Sequence, residues 1–186
     1  MAKTLSSQVL KTGQSAPDFK LKGIDDQMYS LANFSSSECL LVIFICNHCP
    51  YVKARIADIV DLQSKFKLSQ LQIVAINSND PNYQDEGFQN MKIFANRHSL
   101  NFPYLFDDSQ VAATEYGAVC TPDPFLFDSK RRLVFHGKIN DALDPGITPK
   151  VHIMENNIKK ILNKEKLDKD FDPSIGCSIK WKDRTY

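Results

Sequence analysis

The sequence carries almost no net charge, because 23 Lys and Arg residues are offset by 22 Asp and Glu residues. Proteins that bind nucleic acids or membrane surfaces usually carry a strong basic excess. The chain also lacks the roughly 18 consecutive apolar residues that a membrane-spanning helix needs, and residues 1–14 lack the apolar run of a secretory signal. We therefore expect a cytoplasmic protein with neither a nucleic-acid nor a membrane partner.

A closed set of disulfides is excluded as well, because the five cysteines are an odd number. A chain of 186 residues buries about 70% of its unfolded surface and needs no such support. Structural disulfides are also rare in the cytoplasm, where a close cysteine pair is more often catalytic or metal-binding. Repeats, low-complexity tracts and interdomain linkers are absent from the sequence. We predict one domain over residues 1–186, with residues 165–186 as a polar C-terminal tail.

Apolar runs in the first half of the chain predict a βαβ unit. Residues 39–45 are continuously apolar, which is typical of a central strand covered on both faces. From Pro50 to Phe66 the apolar residues recur at helical spacing, and Pro50 is tolerated in the first turn. Residues 71–77 form a second apolar run. Strand, helix and strand within this length predict a parallel pair.

The remaining patterns predict further strands and helices around that unit. They indicate an N-terminal hairpin over 19–29, a helix over 88–95, a strand over 102–106, a short helix over 111–116 ended by Gly117, a hairpin of 125–127 with 133–135, and a helix capped at Thr148–Pro149 with Val151 on its apolar face. The order indicates an α/β domain with a mixed central sheet flanked by helices. Ligand sites of such sheets lie at the carboxyl ends of the strands.

A Cys-x-x-Cys motif stands at that position. Cys46 ends the predicted strand, and Cys49 opens the helix. A helix N-terminus lowers the pKa of a nearby thiol, by up to about 1.5 units, and we expect this effect at Cys46. His48, between the two, would stabilise a thiolate further when protonated. Attack by one thiol on a disulfide and resolution by the other is the natural reaction of such a pair.

Two other interpretations of the motif stay open. The thiols are idle buried groups, or they belong to a metal site. Zinc takes four ligands, and the sequence offers no second Cys-x-x-Cys, so a zinc site requires Cys120 and another group to converge on the pair. We expect neither a metal nor an organic cofactor.

The segment Val119–Phe125 contains two prolines directly before the predicted hairpin. Proline is unusual at the start of a strand because it lacks the N–H that pairs in a sheet. A cis peptide bond between Thr121 and Pro122 would explain its presence. Cys120, just before it, is interpreted as a small buried residue or as a third thiol near the site.

Several separated strings resemble the thioredoxin-like superfamily, and within it the peroxiredoxin-like branch related to alkyl hydroperoxide reductase and thiol-specific antioxidant proteins. They are Gly13–Leu21, Val42–Val52 with its Cys-Asn-His-Cys, Asn77–Asp80, Cys120–Asp123 and Gly176–Trp181. The resemblance implies a thioredoxin fold with a redoxin-type N-terminal hairpin and an inserted strand and helix. It also implies that Pro122 is a cis-proline facing the cysteine pair and shaping the edge where substrate binds.

The resemblance implies two different role assignments. In thioredoxin-like chemistry Cys46 is the exposed nucleophile and Cys49 the resolving thiol, whereas the peroxidatic cysteine of peroxiredoxins matches Cys49. The Thr that peroxiredoxins carry three residues before that cysteine is replaced by Cys46, and their arginine has no counterpart at residues 121–125, which weakens the peroxidase interpretation. Cys177 is either a remote resolving cysteine or an inert thiol of the tail.

We accordingly predict a thiol–disulfide oxidoreductase of cell redox homeostasis. Cys46 is the predicted nucleophile, Cys49 the resolving thiol, His48 the tuning residue and Pro122 the substrate edge. Its expected partners are protein or small-molecule disulfides and a cellular thiol reductant. The alternatives are a thiol peroxidase that acts on peroxides through Cys49, and a non-enzymatic metal-binding or redox-sensing module.

Overall fold

Strands and helices alternate along most of the chain, which the computed structural model describes from residue 3 to residue 183. The strands are β1 (Lys3–Leu5), β2 (Lys20–Gly23), β3 (Met28–Ser30), β4 (Cys39–Phe44), β5 (Leu71–Asn77), β6 (Tyr104–Phe106), β7 (Cys120–Thr121), β8 (Asp123–Phe127), β9 (Leu133–Gly137), β10 (Phe171–Asp172) and β11 (Ile175–Ser178). The helices are α1 (Pro50–Lys65), α2 (Phe88–Arg97), α3 (Val111–Tyr116) and α4 (Ile153–Leu162), and a 3-10 helix covers Leu31–Phe34. In this part of the chain no helix combines the length and the apolar character needed to cross a membrane.

The main sheet of the described residues has the order β10-β9-β8-β4-β5-β6-β2-β3. Strands β4, β5 and β6 run parallel, whereas β8 is antiparallel to β4 and β9 is antiparallel to β8. The predicted α/β class, mixed sheet and parallel βαβ unit are therefore confirmed. Both predicted hairpins form, as β2 with β3 and as β8 with β9.

Strand β4 lies near the middle of the sheet and is buried on both faces. Leu41 and Ile43 belong to the apolar cluster shared with α1, while Leu40 and Val42 belong to the cluster on the opposite face, around Tyr116 of α3. Each fully buried side chain of this size contributes about 1.5–3 kcal/mol. The strand is thus fixed from both sides, and its carboxyl end holds the cysteine motif in place.

Helix α4 begins later than predicted. Its first residue is Ile153, not a residue of the predicted Thr148–Pro149 cap. The backbone N–H groups of Lys150 and Val151 donate to the Asp141 side chain, at 2.8 and 3.0 Å, so this segment is held to Asp141 instead of starting a helix. Val151 is exposed rather than part of the apolar face.

The segment 165–186 is not a tail over its described residues, which is a second correction. Residues 168–170 are exposed as expected, but β10 then pairs with β9 of the main sheet. Strand β11 pairs with β1 on one side and with β7 on the other, forming a second sheet of three strands. The C-terminal segment therefore reaches the cis-proline region.

Candidate active site

Cys46 and Cys49 lie between β4 and α1, at the carboxyl edge of the parallel strands. The Ile45 N–H donates to the Ile76 carbonyl at 2.9 Å, which carries the β4–β5 pairing up to the motif. Cys49 is the N-cap of α1, followed by Pro50 at the first helical position. The five cysteines of the chain carry thiols rather than disulfides.

Cys49 is the thiol whose pKa is lowered by its surroundings. The causes are its interactions with the Cys177 and Cys46 thiols and with the Val52 and Cys177 backbone, and burial opposes them. The Thr121 carbonyl oxygen accepts a hydrogen bond from the protonated Cys49 thiol at 3.2 Å. Polar groups that favour the charged form of the sulfur outweigh this single contact with the neutral form.

Cys46 behaves in the opposite way. Burial raises its pKa well above the usual value, and the Cys49 thiol and the Glu86 carboxylate raise it further. Its sulfur lies 3.1 Å from Thr121 Oγ1. The resemblance to thioredoxins implies an exposed Cys46, but its exposed fraction is 0%. The sulfur belongs to the core cluster beneath α1, because the chain runs on from the buried end of β4.

His48 is held by Glu86, a residue that the sequence analysis does not identify. His48 Nδ1 lies 2.5 Å from Glu86 Oε1, and both side chains are buried. The backbone N–H groups of Asn47 and His48 donate to the same oxygen, at 3.0 and 3.1 Å, and Asn77 Nδ2 donates to Oε2 at 2.7 Å. His48 therefore orients the buried carboxylate of Glu86, and its predicted tuning of the cysteine pair stays a prediction.

Glu86 brings an acidic group to the cysteine pair. Cys46 Sγ, a ring nitrogen of His48 and a carboxylate oxygen of Glu86 lie within 4.8 Å of one another. The ligands of one tetrahedral zinc ion stand about 3.3 Å apart or more, given Zn–N bonds of about 2.0–2.1 Å. The 2.5 Å between His48 and Glu86 is shorter than that, so these two groups form a hydrogen-bonded pair rather than a preformed metal site.

Thr121 and Pro122 lie beside the cysteine pair. The peptide bond between them is cis, as predicted. Thr121 contacts both cysteines of the motif, through its hydroxyl to Cys46 and its carbonyl to Cys49. Pro122 lines a shallow cleft together with Tyr51 and Arg55 of α1.

The other predicted thiols have different surroundings. Cys177 of β11 is opposite Thr121 in the strand register and contacts Cys49, so it belongs to the site. Cys120 contacts the Ser174 hydroxyl at 3.8 Å and the Pro122 carbonyl at 3.9 Å, and burial raises its pKa well above normal. It fits the interpretation of a small buried residue. Cys39, at the start of β4, is likewise buried.

A second buried pair lies behind the cis-proline. Asp123 Oδ1 is 2.7 Å from His136 Nε2, and the Ser174 hydroxyl donates to the same oxygen at 3.3 Å. Burial raises the Asp123 pKa, and its hydrogen bond to His136 opposes that shift. This pair anchors β8 and β9 where they meet the cis-proline.

The match between residues 12–136 and the AhpC/TSA family covers more than half of the chain. The chain belongs to that family. Among solved structures, an uncharacterized conserved protein from Geobacillus kaustophilus is 34% identical, with a TM-score of 0.92 and coverage of 100% of this chain and 99% of that one. A hypothetical protein from Sinorhizobium meliloti 1021 is 36% identical, with a TM-score of 0.90 and coverage of 97% and 100%.

More distant matches include thioredoxin-like proteins and a peroxiredoxin. The thioredoxin domain of a thiol-disulfide oxidoreductase from Bacteroides vulgatus is 16% identical with a TM-score of 0.62, over 83% of this chain and 99% of that one, and shows the thioredoxin fold. Thioredoxin-like protein YneN from Bacillus subtilis is 26% identical over 65% of this chain and 68% of its own length. Chloroplastic peroxiredoxin Q from Populus jackii is 27% identical over 61% of this chain, which spans half of that relative.

Proposed function

We propose that this AhpC/TSA family member is a thiol–disulfide oxidoreductase, in which Cys49 attacks and Cys46 resolves. The observation that carries the proposal is the contact of both motif thiols with Thr121, together with the polar surroundings that lower the pKa of Cys49. A thiolate at neutral pH is the reactive form in thiol–disulfide exchange. The name of the Bacillus subtilis relative, a thioredoxin-like protein, supports the same chemistry.

The reaction begins when the Cys49 thiolate attacks one sulfur of a protein or small-molecule disulfide. A bond forms between Cys49 and that sulfur, the substrate S–S bond breaks, and the departing thiolate takes a proton from water. Cys46 then loses its proton to the neighbouring Glu86–His48 pair and attacks the Cys49 sulfur. The second substrate thiolate leaves, so the substrate has gained two electrons and the protein holds a Cys46–Cys49 disulfide.

A cellular thiol reductant, the proposed second partner, returns that disulfide to two thiols. The chemistry uses sulfur alone and needs no organic cofactor. We propose the cytoplasm as the compartment, since its thiol pool keeps such a pair reduced.

The roles proposed here reverse the order predicted from sequence. The helix dipole predicts the thiolate on Cys46, but in the folded chain Cys49 is the N-cap of α1, and its pKa is the one that is lowered. Cys46 lies deeper, beside a carboxylate that disfavours its ionisation. A resolving thiol with a nearby proton acceptor suits that position.

Trapping experiments test the order of attack. The double variant Cys46→Ser with Cys177→Ser removes both thiols beside Cys49. We therefore expect stable mixed disulfides on Cys49 in cell extract, and mass spectrometry maps them. The Cys49→Ser variant is expected to trap none and to lose insulin reduction, while Cys39→Ser, at the far end of β4, keeps insulin reduction. Adducts on Cys46 in the Cys49→Ser protein would restore the sequence-based order.

A thiol peroxidase is the second candidate, because the ionised thiol occupies the position that matches the peroxidatic cysteine. The Cys49 thiolate would take one oxygen from a hydroperoxide, forming a sulfenic acid and releasing an alcohol or water, and Cys46 would then displace water to form the disulfide. Two arginines donate to backbone carbonyls, Arg55 to Ile147 and Arg131 to Ser37. Neither of them therefore takes the place of the arginine that peroxiredoxins carry. Fast single-turnover consumption of hydrogen peroxide that survives Cys46→Ser but not Cys49→Ser would establish the peroxidase instead.

A further inference from the structure

Cys177 stands in the same relation to Cys49 as Cys46 does. Both thiols interact with the Cys49 sulfur, and Cys46, Cys49 and Cys177 belong to the same buried cluster. Cys46 comes from the motif of Cys49 itself, whereas Cys177 comes from the C-terminal strand β11. Two thiols from distant parts of the sequence therefore lie at one sulfur.

The position of Cys177 is fixed by strand pairing on both sides. In β11, Cys177 is opposite Thr121 of β7 and opposite Lys3 of β1. The preceding residue is Gly176, where an added Cβ would stand 1.9 Å from the Thr121 carbonyl oxygen. Only glycine permits β11 to approach the cis-proline segment this closely, so the approach that brings Cys177 to Cys49 is specified by the sequence.

Strand β11 also covers the entry to the site, because the thiols of the site are buried. Cys49 has an exposed fraction of 0% and Cys177 of 1%, so a substrate disulfide reaches Cys49 only when part of this cover moves. The edge of β7 just before Pro122 is occupied by β11, and an extended substrate segment would pair with the same edge. If the substrate displaces β11 from this edge, renewed pairing of β11 with β7 brings Cys177 back to the Cys49 sulfur, which by then has reacted with the substrate.

We propose that Cys177 is a third redox-active thiol, which resolves the mixed disulfide on Cys49 by forming a Cys49–Cys177 disulfide. The inference rests on the proposed attack by Cys49. In this step the Cys177 sulfur attacks the Cys49 sulfur, the bond between Cys49 and the substrate breaks, and the substrate thiolate accepts the proton that Cys177 gives up. Cys46 can then attack Cys49, move the disulfide to the Cys46–Cys49 pair and return the proton to Cys177.

The test uses 5,5′-dithiobis(2-nitrobenzoate), a disulfide whose released thiolate is coloured. In the Cys46→Ser protein, attack by Cys49 releases one coloured thiolate and resolution by Cys177 releases a second, so we expect a fast phase of two equivalents. The Cys46→Ser with Cys177→Ser protein is expected to release one. The matched control, Cys46→Ser with Cys120→Ser, removes a buried thiol outside the Cys49 contact and is expected to release two.

Peptide mapping under non-reducing conditions identifies the disulfide that forms. The same mapping is done on the oxidised wild-type chain, because no substitution affects its folding. A Cys49–Cys177 link in the Cys46→Ser protein supports the proposal. One equivalent from Cys46→Ser with the reagent still on Cys49, or a link to Cys120, overturns it while leaving the proposed function intact. No fast adduct on Cys49 in any of the proteins contradicts the proposed function itself.

Discussion

His48 Nδ1 lies 2.5 Å from Glu86 Oε1, and the two side chains are only 3% and 0% exposed. Three further donors converge on the same carboxylate, from Asn47, His48 and Asn77. A buried carboxylate is stable only when its oxygens are satisfied in this way. The arrangement holds an anionic group near Cys46, where a proton has to be taken up during resolution.

Replacing Glu86 with Gln is expected to slow resolution by Cys46 about 100-fold, the scale of a lost general base. The measurement is the rate of second-thiolate release in a Cys177→Ser background, followed against pH by stopped flow. Glu115→Gln on the exposed face of α3 is the control and is expected to leave the rate unchanged. A purely structural Glu86 would lower the melting temperature without altering the pH profile.

The stability of the reduced protein is expected to rise with pH through the neutral range. The folded pKa of Cys49 lies below its unfolded value of about 8.5, so its contribution is complete above that value and is lost as the pH falls through the folded pKa. Relative to Cys49→Ser, the free energy of unfolding should increase by up to about 1.4 kcal/mol per pH unit between about pH 6 and 8. Urea titrations under reductant measure it, and parallel curves for the two proteins would refute a Cys49 thiolate.

Substitution of Gly176 by Ala is expected to separate β11 from β7, because the new Cβ meets the Thr121 carbonyl. The pKa of Cys49 should then rise, since its interaction with Cys177 is lost. Alkylation of Cys49 by iodoacetamide as a function of pH reports that change. Lys166→Ala, at an exposed position outside the sheets, is the control, and equal alkylation profiles for both variants would contradict the expectation.

Removal of Asp123 is expected to destabilise the fold far more than removal of an exposed ion-pair partner. Asp123→Ala leaves His136 buried without its carboxylate, a change that typically costs about 3–5 kcal/mol. Asp144, which pairs with Lys3 at the surface, is the comparison, and its Ala variant is expected to unfold close to the wild type. Similar denaturation midpoints for the two variants would contradict this account of the buried pair.

The sequence was sufficient to predict the elements that carry continuous apolar patterns. Strand β4, helix α1 and strand β5 were predicted because each has a long apolar pattern that no turn signal interrupts. The cysteine motif lies between β4 and α1, as these patterns predict. Glu86 could not be found in the same way, because it lies in a polar loop without periodicity and acts only where that loop folds over the motif.

The C-terminal part of the site was also inaccessible to sequence patterns. Strand β11 has four residues, one of them glycine, which is too short for alternation to be recognised. Its position depends on pairing with β1 and β7, strands remote from it in sequence. The same long-range ordering explains why a remote role for Cys177 could be named from sequence, whereas its contact with Cys49 could not.

The pairing of β1 with β11 has a consequence for biosynthesis. Strand β1 (Lys3–Leu5) is synthesised long before its partner β11 (Ile175–Ser178), and it cannot pair until the chain between them has been made. During that interval Cys46 and Cys49 have been synthesised, but the strand that covers them has not. The nascent chain therefore presents its motif thiols to cellular oxidants and reductants before the enclosed site exists, and closure of the site waits for β11 to be synthesised.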